Sequence, residues 1–185
     1  MANLGLPKFQ EEKAIAVATR FLSLSGGKCN KYWLNKLMYY VERESLVETG
    51  QPIFFDAMFS LPYGPIVSAV NDGIDSTQYQ DGSEWKKNLV VDKKNVTLIK
   101  DGDYDLLSDF EEGIIRSAFE KFKGWGFDRL NSFFHNLPEH IETDSSIELP
   151  YSYVLTKSGV DKKTIDEAIE ELLYVSRLES KLDCA

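Results

Sequence analysis

His135 and His140 are the chain's only histidines, and metal chemistry would fall to them first. A helix offers two imidazoles to one ion when they stand four apart on a single face. These two are five apart with Pro138 between them, so no continuous helix presents both. The segment H-N-L-P-E-H matches neither helical zinc-protease signature, and structural or surface histidines are the expectation. Asp101, Asp103, Asp105, Asp109 and Glu112 imitate the carboxylate spacing of a calcium-binding loop. However, Leu106 stands where that loop needs glycine, and the preceding segment reads as strand rather than helix. Gly26-Gly27-Lys28 is a fragment of a phosphate loop without its first glycine, and Cys29 replaces the hydroxyl residue that would hold magnesium. Gly124-x-Gly126 is too short for a dinucleotide fingerprint, and no serine lies in G-x-S-x-G. Cys29 with His135 has the types of a nucleophile and base, but an inert thiol is the default. No catalytic constellation stands out, so no enzyme activity, metal or cofactor is expected.

Binding chemistry has two candidates. Lys86-Lys87 and Lys93-Lys94 bracket a hairpin, with Tyr79 and Trp85 close by, as in a small basic patch with a stacking aromatic. Lysines beside a hairpin more commonly blunt a sheet edge against aggregation. The net charge of −9, from 21 basic and 30 acidic residues, repels phosphate backbones and attracts basic proteins. It also raises solubility with no partner at all. The second candidate is aromatic. Tyr32, Trp33, Tyr39, Tyr40, Phe54, Phe55, Phe59 and Tyr63 crowd into one short stretch flanked by Glu42, Glu44, Glu48 and Asp56. A core can absorb most of these rings. Tyr39, however, lies off the main apolar row of its helix, and Phe54-Phe55 follow Pro52 in a loop where burying both is awkward. An aromatic surface with an acidic rim has the make-up of a protein-binding site, and both readings stay open.

The elements that hold these residues are mostly helices. Lys31 to Glu48 carries Leu34, Leu37, Met38 and Val41 in one row and Trp33, Leu37 and Tyr40 in another, a stripe wide enough to meet several neighbours. Asn30 suits its N-cap and Gly50-Gln51-Pro52 its stop. An earlier helix has Ala14, Val17, Ala18, Phe21 and Leu22 inward and ends at Ser25-Gly26-Gly27. Pro62-Tyr63-Gly64-Pro65 turns the chain, with Pro65 opening a helix over Ile66 to Ile74. Asp72 to Ser83 reads as surface loop. Leu89–Val91 and Val96–Ile99 form a hairpin, with Asp56 to Leu61 as a possible third strand. Ser108 and Glu111 make a capping box before a helix burying Ile114, Ile115, Ala118, Phe119 and Phe122. A short helix then covers Asp128 to Asn136, and a final one begins near Asp161 or Thr164 with Ile165, Ala168, Ile169, Leu172, Leu173 and Val175 inward. The expected fold is mainly α (α+β), a single compact helical domain over residues 1–185 with a small antiparallel sheet and a core over about 14–175. With two cysteines, Cys29 and Cys184, no signal peptide and no membrane-length apolar run, a reducing cytoplasmic setting is expected.

Several ordered motifs now carry a resemblance. L-N-K-L-M-Y-Y-V (Leu34–Val41), G-Q-P-I (Gly50–Ile53) and P-Y-G-P-I-V (Pro62–Val67) resemble the hallmark run of the SocA-like antitoxin domain, also called Panacea and related to phage-associated GepA-like proteins. Leu107–Phe122, the L-x-x-x-x-H-x-x-P-E segment from Leu130 to Glu139, and Leu149–Gly159 resemble its later parts. His140 stands where a tryptophan often follows Pro-Glu, and residues 76–105 fall where such domains vary. The family-motif residues are Leu34, Leu37, Tyr40, Tyr63, Gly64, Pro65, His135 and Pro138. Tyr63, Gly64 and Pro65 are taken as structural, since a tight turn explains all three. The resemblance implies a non-enzymatic antitoxin that binds a cognate toxin encoded by an adjacent gene; some relatives deliver the toxin to a protease. Tyr39, Glu44, Phe54 and Phe55 are the expected partner contacts. The competing class is a prophage-encoded, nucleic-acid-associated regulator.

Overall fold

One helix, α2 (Lys31–Thr49), is buried on every side from Trp33 to Arg43. The structure, a computed structural model that describes residues 6–79 and 82–182 (Tyr79 by its backbone alone), packs five other helices around it. These are α1 (Glu11–Leu24), α3 (Ser68–Tyr79), α5 (Asp109–Phe122), α6 (Phe127–His135) and α7 (Tyr151–Lys157). The wide apolar stripe is why: two rows of large side chains leave no face that water could cover without exposing carbon. Asn30 caps the helix as its type predicts, its Oδ1 accepting Tyr32 N–H at 2.9 Å. Gly50 ends it at φ 77, a conformation costly for any residue with a Cβ. The Ser108–Glu111 capping box opens α5 with both reciprocal bonds present. The long α8 (Lys162–Leu182) closes the described chain; it buries Ile165, Ala168 and Leu172, whereas Leu173, expected inside, is exposed.

Two small antiparallel sheets flank the helices. One has the order β1-β5-β4, from β1 (Lys28–Asn30), β4 (Leu89–Asp92) and β5 (Asn95–Leu98). The hairpin is therefore as expected, but its third strand is β1. The segment offered for that role supplies β2 (Met58–Ser60) to the other sheet, between β3 (Ile66–Val67) and β6 (Ile147–Glu148). Pro65 accordingly precedes a strand, and the helix begins at Ser68. Asp56 decides this: its carboxylate accepts Ala69 N–H at 2.9 Å and Val70 N–H at 2.8 Å, fixing the first turn there. That leaves β-branched Ile66 and Val67 free to pair with β2. Most of the expected surface loop, up to Tyr79, is the rest of α3. Its inward positions are Val70, Ile74 and Thr77, and the threonine hides the helical period. Thr77 accepts Val91 N–H at 3.0 Å and so ties α3 along β4. The β4 edge is covered by a helix rather than blunted by lysines.

The remaining expectations are quickly placed. Asp101 accepts Tyr104 O–H at 2.6 Å and Asp103 caps the 3₁₀ turn Tyr104–Leu106, so two of the carboxylates are spent on local structure. Cys29 is half-buried in β1, and burial pushes its thiol up to about 12, which makes it a poor nucleophile. Cys184 lies outside the described residues. Among those described, no helix is long and apolar enough to cross a membrane.

Candidate functional site

The family motifs converge beneath the Tyr63-Gly64-Pro65 turn. Lys36 rises from α2 with 1% of its surface exposed and donates to Pro65 O at 2.8 Å. Its ammonium also lies 5.1 Å from the Tyr32 ring centre and 5.7 Å from that of Phe134. Burial pushes Lys36 down to about 7. Gly64 has φ 83, and a Cβ there would come within 3.2 Å of Lys36 Nζ and 3.3 Å of His135 Cδ2. Any side chain there would hold a left-handed backbone and crowd these neighbours by a few tenths of an ångström, so glycine is favoured on both counts.

His135 ends α6. The chain then reverses through a turn closed by His140 N–H donating to Leu137 O at 3.0 Å. That reversal brings the two imidazoles together, ring centres 4.4 Å apart. No continuous helix presents both, as the spacing implies, since α6 ends at His135; the reversal through Pro138 is what folds one ring back to the other. Ser60 on β2 holds His140: Ser60 Oγ and His140 Nδ1 are 2.9 Å apart. The hydroxyl also donates to Ile141 O at 2.8 Å and accepts Ile141 N–H at 3.1 Å. Burial, and the neighbouring His135, push His140 below the usual histidine range. Glu142 reaches over both rings from outside, with one oxygen 3.8 Å from His135 Nδ1 and 3.7 Å from His140 Nε2.

The expected partner contacts fare unevenly. Tyr39 is buried, its hydroxyl donating to Glu139 at 2.9 Å. Glu139, itself buried, also accepts Arg43 Nε–H at 2.6 Å. Phe54 is buried as well and meets Phe9 edge-on. Neither ring is at the surface, because α2 is encircled and its loop is clasped to it. The clasp is Glu42, whose carboxylate accepts the N–H groups of Ile53, Phe54 and Asp56 at 2.7, 3.0 and 2.9 Å. Phe55, in the middle of that clasp, is half-buried and held at φ 58. Glu44 is part-exposed and bound to Tyr40 and Arg43. It lines a groove of about 360 Å³ with Tyr40, Glu48, Phe110 and Lys121.

Exposed aromatics occur elsewhere. Tyr63 is 67% and Phe127 51% exposed, with ring centres 6.4 Å apart. Tyr32 completes the ledge 4.8 Å from Phe127. Beside it a groove of about 570 Å³ runs between Trp33, Trp125, Phe127, Lys31, Lys93 and Lys94. The hairpin lysines thus rim an aromatic groove, but not with the expected ring. Trp85 is buried against α3 and donates to Glu11, so no base could stack on it. The Tyr79 side chain lies outside the described residues. Phe127 escaped the sequence reading because it follows the Gly-Trp-Gly break, outside the aromatic-rich stretch. It stands at the first position of a nine-residue helix, and its spacing places it on the face of Leu130 and Phe134, so helical period gives no sign that it is exposed.

Tyr63 of the ledge, the buried Lys36 and His135 stand in the ordered motifs, whereas Tyr32, Phe127 and His140 lie outside them. No curated protein and no solved structure matches this chain. A family model does: that of the antitoxin SocA-like, Panacea domain, over residues 34–140. Those residues run from the central helix to the second histidine and make up more than half of the chain, which therefore belongs to the SocA-like antitoxin (Panacea domain) family.

Proposed function

We propose that this protein is an antitoxin that neutralises a cognate toxin, encoded by an adjacent gene, by direct protein–protein contact in the cytoplasm and without catalysis of its own. The contact centres on the ledge of Tyr32, Tyr63 and Phe127. One observation carries this reading: Tyr63 is 67% exposed in a motif whose other members serve the fold. Gly64 holds the left-handed turn close above Lys36, and Pro65 supplies the carbonyl that the lysine binds. The tight turn itself asks for no aromatic ring at Tyr63. Exposed rings grouped beside a groove are the usual anchors of an interface of about 800 Å² per side. Glu44 and Glu48, in the second groove, are an acidic flank suited to basic groups of the partner.

Tyr63→Ala and Phe127→Ala should each weaken toxin binding by about 2 kcal/mol, roughly thirtyfold, with little loss of thermal stability. Glu44→Gln should mainly slow association. Binding is measured by titrating the purified toxin, and neutralisation by growth on co-expression. Unchanged affinity in the doubly substituted protein would remove the ledge from the contact. Toxin half-life in cells with and without the antitoxin separates direct neutralisation from delivery to a protease. A shortened half-life marks delivery, and an unchanged one marks simple occupancy.

A further inference from the structure

We propose that His135, His140 and Glu142 form a binding site for a divalent transition-metal ion of the zinc class, with three protein donors and one open position. This goes beyond the toxin-binding reading and does not depend on it. One nitrogen of each ring and a carboxylate oxygen of Glu142 all lie within 4.8 Å of one another. The same Glu142 oxygen is 3.8 Å from His135 Nδ1 and 3.7 Å from His140 Nε2. Bond lengths of about 2.0–2.2 Å in tetrahedral geometry set donors about 3.4 Å apart, so the two carboxylate–imidazole separations exceed the ideal by a few tenths of an ångström and no donor pair by more than about 1.4 Å. Glu142, with 89% of its side chain exposed, is the member free to make that adjustment.

The surroundings of His140 prepare it as a ligand. The hydroxyl proton of Ser60 goes to Ile141 O at 2.8 Å, so towards Nδ1, 2.9 Å away, the oxygen acts as acceptor. The ring therefore carries its proton on Nδ1 and turns a bare Nε2 lone pair towards Glu142. This is the outer hydrogen bond that metal-ligating histidines need to fix their tautomer. Nε2 of His140, the atom that faces Glu142, is closed to solvent and has no hydrogen-bond partner. A lone pair and a carboxylate at 3.7 Å repel each other unless a cation stands between them. Lys36 Nζ stands near His135, both within 3.3 Å of where a Gly64 Cβ would lie, and its ammonium is committed to Pro65 O. Two imidazoles and one carboxylate select zinc and its transition-metal neighbours over calcium and magnesium, which favour all-oxygen sites.

The test uses the full chain, purified without a polyhistidine tag, stripped with chelator and titrated with zinc chloride alone by calorimetry. The expected result is saturable binding of about one ion per chain, with no comparable heat from calcium or magnesium. Cobalt in place of zinc should give the visible absorption of a four-coordinate ion. Glu142→Ala alters only a surface side chain and should weaken zinc binding at least about tenfold; Ser60→Ala, which frees the tautomer, should weaken it by about tenfold. His135→Gln, checked for folding by circular dichroism, should abolish it. No saturable binding to the wild type, or binding unchanged in both Glu142→Ala and His135→Gln, would overturn the assignment.

Discussion

Glu139 gathers three donors inside the protein: Arg43 Nε at 2.6 Å, Arg43 Nη2 at 3.3 Å and the Tyr39 hydroxyl at 2.9 Å. The chain leaves α6, turns at Pro138 and drops this carboxylate onto the middle of α2. Glu139→Ala would leave the nearly buried Arg43 guanidinium with only Glu44 and Ser158 as partners and should cost about 3 kcal/mol, most of it the penalty for its unsatisfied Nε–H and the bare Tyr39 hydroxyl. Tyr39→Phe removes one bond to a charged acceptor and should cost roughly 1.5 kcal/mol. Urea unfolding of the two variants checks the order, and equal costs would mean that the clasp is not what holds the turn. This arrangement also explains why Tyr39 looked like a surface residue. A phenol off the main apolar row seeks water unless something inside answers its hydroxyl, and the group that does lies 100 residues further on. The meeting of His135 with His140, only five residues apart, was hidden for another reason: a reversal at Pro138 is invisible to helical spacing. Leu34, Leu37 and Tyr40 were readable because local period alone places them.

Whole elements were legible where their ends carry their own signals. Asn30, Gly50 and Ser108 with Glu111 mark boundaries through bonds to residues within four positions, and all of these boundaries stand. The start of α3 was misread because its cap comes from outside the turn. Asp56 reaches Ala69 and Val70 N–H from 13 and 14 residues away. Strand partners were illegible for a similar reason. A three-residue strand such as β2 has too few side chains to declare a register, and its neighbours β3 and β6 are short as well. The two kinds of cap should differ in energetic weight. Ser108→Ala exposes its N–H groups to water and should cost about 1 kcal/mol. Asp56→Ala leaves two largely desolvated N–H groups without acceptors and should cost about 3 kcal/mol or more. Denaturant midpoints with an unchanged slope would read the difference directly. If Ser108→Ala proved the more damaging, the start of α3 would have to be set by β2–β3 pairing.

At the scale of the whole molecule, two buried ionisable groups on α2 push stability in opposite directions with pH. Burial pushes Glu42 up to about 8, against the backbone N–H groups that pull it down. The unfolded chain releases that proton near 4.5, so between these values the native state holds more protons and stability falls as pH rises. Asp56, pushed up to about 6 by burial, adds to the same limb. Lys36 does the reverse. It gives up its proton near 7 when folded and near 10.5 when unfolded, so stability rises with pH across that window. His140, pushed down by burial, loses its share as pH drops below the ordinary histidine value, so the acid limb is best sampled near pH 6. Tyr39 and Tyr151, raised well above 10, cost stability only beyond the alkaline limb. The net charge of −9 grows with pH and adds repulsion there, which moderate salt screens. The expected curve is therefore inverted, with a minimum between about pH 7 and 8 and higher urea midpoints near pH 6 and near pH 9.5. Lys36→Met should remove most of the alkaline rise, the remainder coming from Lys121, which burial also pushes down, and leave the acid limb in place, since Glu42 and Asp56 are untouched. A single maximum near neutrality, as surface carboxylate pairing gives, would mean that Glu42 is ionised in its clasp and that its three N–H donors outweigh the loss of water.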